Sequence, residues 1–381
     1  MTETKEIHPL SNEALLAPFR RVSKEDWRVI GWALAVKVLL FVLGAKALMI
    51  LDDKRLKGLY AWLELWNRWD AQHYLQVAQL GYAKGPHLVI YPVFPFLIRV
   101  FAFVTGDYFI SALIVSTAGL VASVVLFRRL LQLDYTGETA QRAIWFFLIF
   151  PTAYFLQVGY TEAPFLAFVF GALLAARHDR WWLAGVLGGA AAMTRANGLG
   201  LLPTLVVEAG HQWYVRRKLR WAWLWLGLIP LGYGVYLLIN LRVGGSLFAF
   251  VETRRQIFRT SVAWPWIGIH EALNNLQRHP NQAEMVGFQE LFFVALTFVC
   301  AIISWCKLRP VYAAWITVNW IGFASLSFIQ SAPRYSLACF PIFLLFALLG
   351  QSRFWLGVIT AWSLLFFALF SILFARGWWA F

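Results

Sequence analysis

Long apolar stretches separated by short clusters of Lys and Arg organise this chain of 381 residues. Residues 27 to 50, 108 to 127 and 354 to 374 each reach the roughly 20-residue length that crosses a hydrocarbon core of about 30 Å. The pattern predicts an all-α polytopic membrane protein of about eleven transmembrane helices. A polar segment, residues 1–26, is expected on the cytoplasmic side. It lacks the short apolar core of a cleavable signal peptide, so the first span should stay as an anchor.

The expected path is fixed by basic clusters, which favour the cytoplasmic ends of spans. Arg20/Arg21/Lys24, Arg128/Arg129 and Arg216/Arg217/Lys218/Arg220 are read as such anchors. Span one, Trp27 to Ile50, leads to a first outer loop, 51–107. Within that loop Ile90 to Val104 is apolar but short and carries Pro92, Pro95 and Arg99. It is expected to lie at the interface, because a full crossing would invert every later basic cluster. Later spans place three short polar connections on the same outer side: Gly159 to Glu162, Thr194 to Gly198 and Gln330 to Tyr335. A second long outer loop, 242–286, carries Arg254, Arg255, Arg259, His270, Arg278 and His279, either as a lid or as a solvated basic loop.

Composition agrees with this reading. A chain 60% hydrophobic, 18% aromatic and 14% charged has too little polar surface to cover a water-soluble globule. The net charge of +14 does not mark a nucleic-acid binder, because the cations sit between apolar runs and not on one face or tail. Cys300, Cys306 and Cys339 form no disulfide framework or metal spacing. No metal or other cofactor is inferred, since no outer cluster of carboxylates calls for one.

Candidate chemistry gathers on the outer side. Between Trp66 and Tyr74 a carboxylate, an imidazole and a guanidinium lie among tryptophans, and Asp70 and His73 at i and i+3 share a helix face. A carboxylate against aromatic surface suits a general base. The plainer alternative is an interfacial aromatic belt with charges facing water. Glu162, Arg195 and Arg334 are ionisable groups near membrane depth, which are costly and mark functional paths. Their plainer alternatives are a helix-start carboxylate for Glu162 and snorkelling side chains for the arginines. An arginine fork matches phosphate oxygens, and a lipid phosphate is the natural anion at such a rim.

Five motifs, taken in order, resemble the second-mannose transferase family of the glycosylphosphatidylinositol pathway (PIG-V type), part of the glycosyltransferase C (GT-C) superfamily. They are Trp69-Asp70-Ala71-Gln72-His73-Tyr74 with Gly81-Tyr82, Tyr91-Pro92-Val93-Phe94-Pro95, and Phe150-Pro151-Thr152-Ala153-Tyr154-Phe155 with Tyr160-Thr161-Glu162. Thr194-Arg195-Ala196-Asn197-Gly198 and Ser331-Ala332-Pro333-Arg334-Tyr335 complete the set. The family usually has Phe where this chain has Tyr74.

The resemblance implies a single GT-C-like membrane domain over 27–381, with juxtamembrane helices in the first outer loop. It implies transfer of mannose from a polyprenyl-phosphate carrier to a hydroxyl of a lipid-bound acceptor, with inversion at the sugar carbon. Asp70 matches the family's loop-one acid and is the expected base. His73, Lys84, Glu162, Arg195, Asn197, Arg334 and Tyr335 are the expected substrate-binding residues. Partners would be membrane lipids, the polyprenyl-phosphate-linked donor and a lipid-linked acceptor, with no nucleic acid. Two rivals stand beside this reading. A lipid or glycolipid transporter or flippase would spread polar groups through the bilayer depth, whereas most spans are nearly free of charge at their centres. A non-catalytic glycolipid-binding assembly subunit would keep the topology and make Asp70 dispensable.

Overall fold

A computed structural model describes residues 22–278 and 287–381. Residues 1–21, most of the expected cytoplasmic segment, and residues 279–286, with His279 of the second loop, lie outside the described residues.

The first span is helix α1, Lys24–Leu51, started by a reciprocal capping box between Ser23 and Asp26. The first long loop contains three helices: α2, Gly58–Glu64, α3, Asp70–Leu80, and α4, Val93–Thr105. Then come α5, Tyr108–Leu131, α6, Gly137–Ile149, α7, Glu162–Arg177, α8, Trp181–Ala192, and α9, Leu201–Arg216. A 3-10 turn, Trp221–Gly227, runs directly into α10, Leu228–Gly244. The second long loop holds α11, Ala249–Ile257, and α12, Pro265–Arg278. The remaining helices are α13, Gln289–Lys307, α14, Pro310–Ala324, α15, Ala332–Ser336, α16, Pro341–Leu349, and α17, Arg353–Arg376.

Five of these segments, α1, α5, Trp221–Gly244, α13 and α17, are long and apolar enough to cross a membrane by length and composition. The other six expected spans correspond to the shorter α6, α7, α8, α9, α14 and α16. Short helices survive at membrane depth when protein surrounds them, and α7 is buried along most of its length. Close backbone approach permits this. A Cβ at Gly119 of α5 would sit 2.4 Å from the Pro164 nitrogen of α7, and one at Gly232 of α10 would sit 2.5 Å from the Gly189 carbonyl oxygen of α8.

The segments alternate between two ends. At one end the start of α1 meets the finish of α5, where Arg128 donates to Asp26 at 2.6 Å. The same end holds Arg177 at the finish of α7 paired with Asp134. At the other end Arg376, finishing α17, pairs with Asp52 after α1 at 2.6 Å, and Tyr60 bonds Asp107 before α5. Residues expected outside collect at this second end, and the basic clusters at the first. The apolar segment Ile90 to Val104 does not cross. Its helix α4 starts beside Met193, whose carbonyl accepts from the Val93 amide, and finishes at Thr105, which bonds Asp107 and Ser111. Both flanks therefore belong to one end. The second long loop is tied to that end too, through an isolated bridge between Val262 and Leu326.

Candidate active site

The five sequence motifs converge because short polar connections break the helices at one level. Pro151 interrupts the path after α6, and a 3-10 turn, Ala153–Leu156, follows it. The Thr152 hydroxyl donates to the Pro333 carbonyl at 3.0 Å and so anchors the Arg334 segment to that turn. A second 3-10 turn, Ala196–Gly200, folds Arg195 and Asn197 back over α8. Only glycine fits at 198, where a Cβ would lie 2.3 Å from the Ala191 carbonyl carbon.

On this scaffold four charged groups from four segments form one chain. Arg334 Nη1 donates to Asp70 Oδ2 at 2.6 Å. Its Nε donates to Glu162 Oε1 at 2.5 Å, and Arg195 Nη1 reaches the same oxygen at 2.5 Å. Arg195 also donates to the Thr161 hydroxyl at 2.8 Å. The Arg334 guanidinium lies over the rings of Phe155 and Tyr160, 4.5 and 4.8 Å from their centroids, a cation–π seat that is strengthened by desolvation. Formal charges of the four groups cancel, which is the condition for burying them.

The chain is not closed on itself. The Asp70 side chain is 39% exposed, against 5% for Glu162 and 9% for Arg334. Among the described residues the bonds of the chain use Asp70 Oδ2, Arg334 Nη1 and Nε, and Arg195 Nη1. Backbone strain fixes the acid: Trp69, immediately before it, has φ of 52° and ψ of −121°, a conformation costing roughly 1–3 kcal/mol for a non-glycine residue. The Tyr160 hydroxyl holds that turn by donating to the Arg68 carbonyl at 2.8 Å, and the Trp69 ring packs edge-on against Trp379 at 5.4 Å.

The other expected residues distribute unevenly. His73 lies one turn along α3 from Asp70 with its ring 6.3 Å from that of His87, and Nδ1 of each is buried without a partner. Partial burial and the neighbouring His73 keep the His87 imidazole below its ordinary proton affinity. Asn197 donates to Asn319 of α14 at 3.2 Å. Tyr335 packs on Phe323. Lys84 is exposed, and no described contact joins it to the charge chain. Sequence reasoning missed the roles of Phe155 and Tyr160 as the seat of Arg334, and Asn319 as the partner of Asn197. It also passed over Lys37, whose signal was plain: one cation in the middle of an apolar run.

The fold is of the GT-C type. ArnT from Cupriavidus metallidurans, solved bound to undecaprenyl phosphate, superposes with a TM-score of 0.52 over 91% of this chain and 73% of its own, at 14% identity, a likeness of fold alone. Residues 55–220 match the model of the mannosyltransferase (PIG-V) family. GPI alpha-1,6-mannosyltransferase 2 of Mus musculus is 31% identical over 160 residues, covering 39% of this chain and 31% of that protein. The Rattus norvegicus protein of the same description is 31% identical over 146 residues, 35% of this chain and 29% of its own. The matched stretch thus spans about a third of the mammalian proteins. The family match over residues 55–220 includes Asp70, His73, Lys84, Glu162, Arg195 and Asn197, while Arg334 and Tyr335 lie beyond it.

Proposed function

We propose that this protein transfers a mannosyl group from a polyprenyl-phosphate carrier to a hydroxyl of a lipid-bound acceptor, by a single inverting displacement at the non-cytoplasmic face of the membrane. The observation that carries the reading is the chain Asp70–Arg334–Glu162–Arg195, in which the partly exposed Asp70 carboxylate sits against two arginines held by one buried carboxylate. In the reaction Asp70 takes the acceptor proton as that oxygen attacks the anomeric carbon. The carrier phosphate leaves from the opposite face of the sugar with its electron pair. It departs as an anion, and the guanidinium groups of Arg334 and Arg195 stabilise its charge as it develops. Glu162 fixes both guanidinium groups, so no reorganisation is required at the transition state. His73 borders the acid and would contact the acceptor or the sugar.

The orientation in the membrane follows from the basic residues at the end opposite the site, Arg128, Arg129, Arg216, Arg217, Lys307 and Arg309, which favour the cytoplasm. The amino terminus would then be cytoplasmic. The donor class is supported by the family match and by the carrier lipid in ArnT. The test is to incubate purified protein with labelled polyprenyl-phosphate mannose and a lipid extract, and to compare Asp70→Asn. Label should appear in a lipid product with the wild type and fall by orders of magnitude with the variant. Full transfer by the variant would exclude Asp70 as the base.

A further inference from the structure

Between the 3-10 turn Ala153–Leu156 and the start of α7 at Glu162 the chain has no regular helix, yet residues 157–161 are all buried. Buried carbonyls outside regular structure must find donors, and two of these find them on neighbouring spans. The Lys37 ammonium of α1 donates to the Gln157 carbonyl, and the Ser116 hydroxyl of α5 donates to the Val158 carbonyl at 2.5 Å. Gly159, next in line, lies directly against α5, where a Cβ would sit 3.3 Å from the Ala112 Cβ. The Gln157 side chain adds no anchor, being fully buried with neither polar atom partnered among the described residues. Snorkelling does not account for Lys37. It lies roughly 20 Å from either end of α1, too deep for its stem to carry the ammonium to headgroups, and the group turns inward past the Phe41 ring, 5.3 Å from its centroid. An ammonium held at such depth by a carbonyl and a ring is costly and marks a function.

Resting on the proposed transfer reaction, we infer that Lys37 is a positioning residue for Arg334. The clamped segment joins the two rings on which the Arg334 guanidinium lies: Phe155 stands two residues before Gln157 and Tyr160 three after it. The same segment runs on into Glu162, which holds Arg334 Nε and Arg195 Nη1. Tyr160 also donates to the Arg68 carbonyl, just before the base. Releasing the Gln157 carbonyl therefore loosens the seat of the arginine, on whose placement its use against a leaving phosphate depends. Lys37 acts through these groups and takes no part in the proton or phosphate steps.

The test compares Lys37→Met, which keeps the stem and removes the donor, with Lys37→Arg, which supplies a donor again, and with Lys46→Met, which removes an exposed cation from the same helix. The whole protein in lipid nanodiscs is followed by amide hydrogen exchange, thermal unfolding and transfer. In Lys37→Met the peptides covering 153–162 and 331–336 should exchange severalfold faster, while the far-end segments stay unchanged. The thermal midpoint should hold or rise, because a buried charge has been exchanged for an apolar chain of similar length. Transfer should nevertheless drop roughly tenfold, with a higher donor KM. Lys37→Arg should recover most of both losses, and Lys46→Met should match the wild type. On an Arg334→Lys background Lys37→Met should cost little more, since the two changes act on one contact. Unchanged exchange at 331–336, or the full loss repeated on the Arg334→Lys background, overturns the inference. A lower thermal midpoint with normal transfer per folded molecule also overturns it, by making Lys37 a cation that only holds the fold. Faster exchange at both segments in a protein whose wild type transfers nothing leaves the positioning in place and rejects only the reaction.

Discussion

Two networks of buried charge sit at opposite ends of the bundle, about 24 Å apart along the 16 residues of α7, and they are built differently. At the far end the contacts are forked. Arg177 donates to both oxygens of Asp134 at 2.6 and 2.8 Å, and Tyr312 adds a hydroxyl at 2.7 Å. Arg309 likewise grips both oxygens of Glu208 at 3.0 and 2.8 Å, with Gln212 donating at 3.0 Å. Those carboxylates have both oxygens engaged. At the site end each arginine–carboxylate contact is single, the acid is partly exposed, and it follows a strained residue. Saturated forks hold helices together; an unsaturated, strained chain holds a place for something else.

That contrast separates activity from stability. The largest effect should come from Asp70→Asn, which keeps shape and removes the proton acceptor: transfer should fall by about 10²–10⁴-fold, measured per folded molecule, with little change in thermal stability. Wild-type rates in the variant would place Asp70 with the structural charges. Glu208→Gln should do the reverse. It strips the compensating charge from Arg309 in a site where Glu208 is 1% exposed, at a cost of about 3–5 kcal/mol. Thermal unfolding in detergent should show the loss, while the surviving folded fraction transfers normally. A normal melting temperature would show that the far-end pairs are not what holds α9 to α14. Next in size is Gly198→Ala. The added Cβ meets backbone at 2.3 Å and cannot be relieved by a rotamer, so a strain of about 1–3 kcal/mol is expected. Because Arg195 rides on the same turn, the donor KM should rise more than kcat falls; a pure stability loss would detach Arg195 from donor binding.

The sequence disclosed the ends of this molecule better than its middle. Basic clusters and apolar lengths separate the site end from the far end, and they keep α4 from being read as a span, since crossing would have reversed every later cluster. The four members of the charge chain were visible as ionisable residues in short connections, although they lie up to 264 positions apart. What stayed hidden depends on which faces meet. Phe155 and Tyr160 stood out only as members of a motif, and nothing in their neighbours says that Arg334 lies over them. Asn319 sits within a span, where nothing in its neighbours points to Asn197. Lys84 shows the opposite failure: a cation close in sequence to the acid, yet carried out to the surface by the turn after α3. The far-end forks went unread because Asp134, Arg177, Glu208 and Arg309 stand on separate segments that only the packing brings together.

The smallest effect predicted is an acid limb of stability owed to the far end. Asp134 lies in the connection between α5 and α6. Burial opposes its ionisation, but the hydrogen bond and field of Arg177, with the Tyr312 hydroxyl and Arg309, hold its carboxyl below the usual range. Its unfolded counterpart titrates near pH 3.9, so on acidification the unfolded chain takes up the proton first. The stabilisation is therefore complete above about pH 5 and is lost as the pH falls through the unfolded value toward the lower folded one. Thermal midpoints followed from pH 7 to pH 3 should decline, and Asp134→Asn, already destabilised at pH 7, should decline less over the same interval. Parallel curves for the two proteins would mean that the fork on Asp134 is as strong with a neutral group as with a charged one. The far-end network would then owe its strength to hydrogen bonding and packing, and the contrast with the open charges of the site would rest on geometry alone.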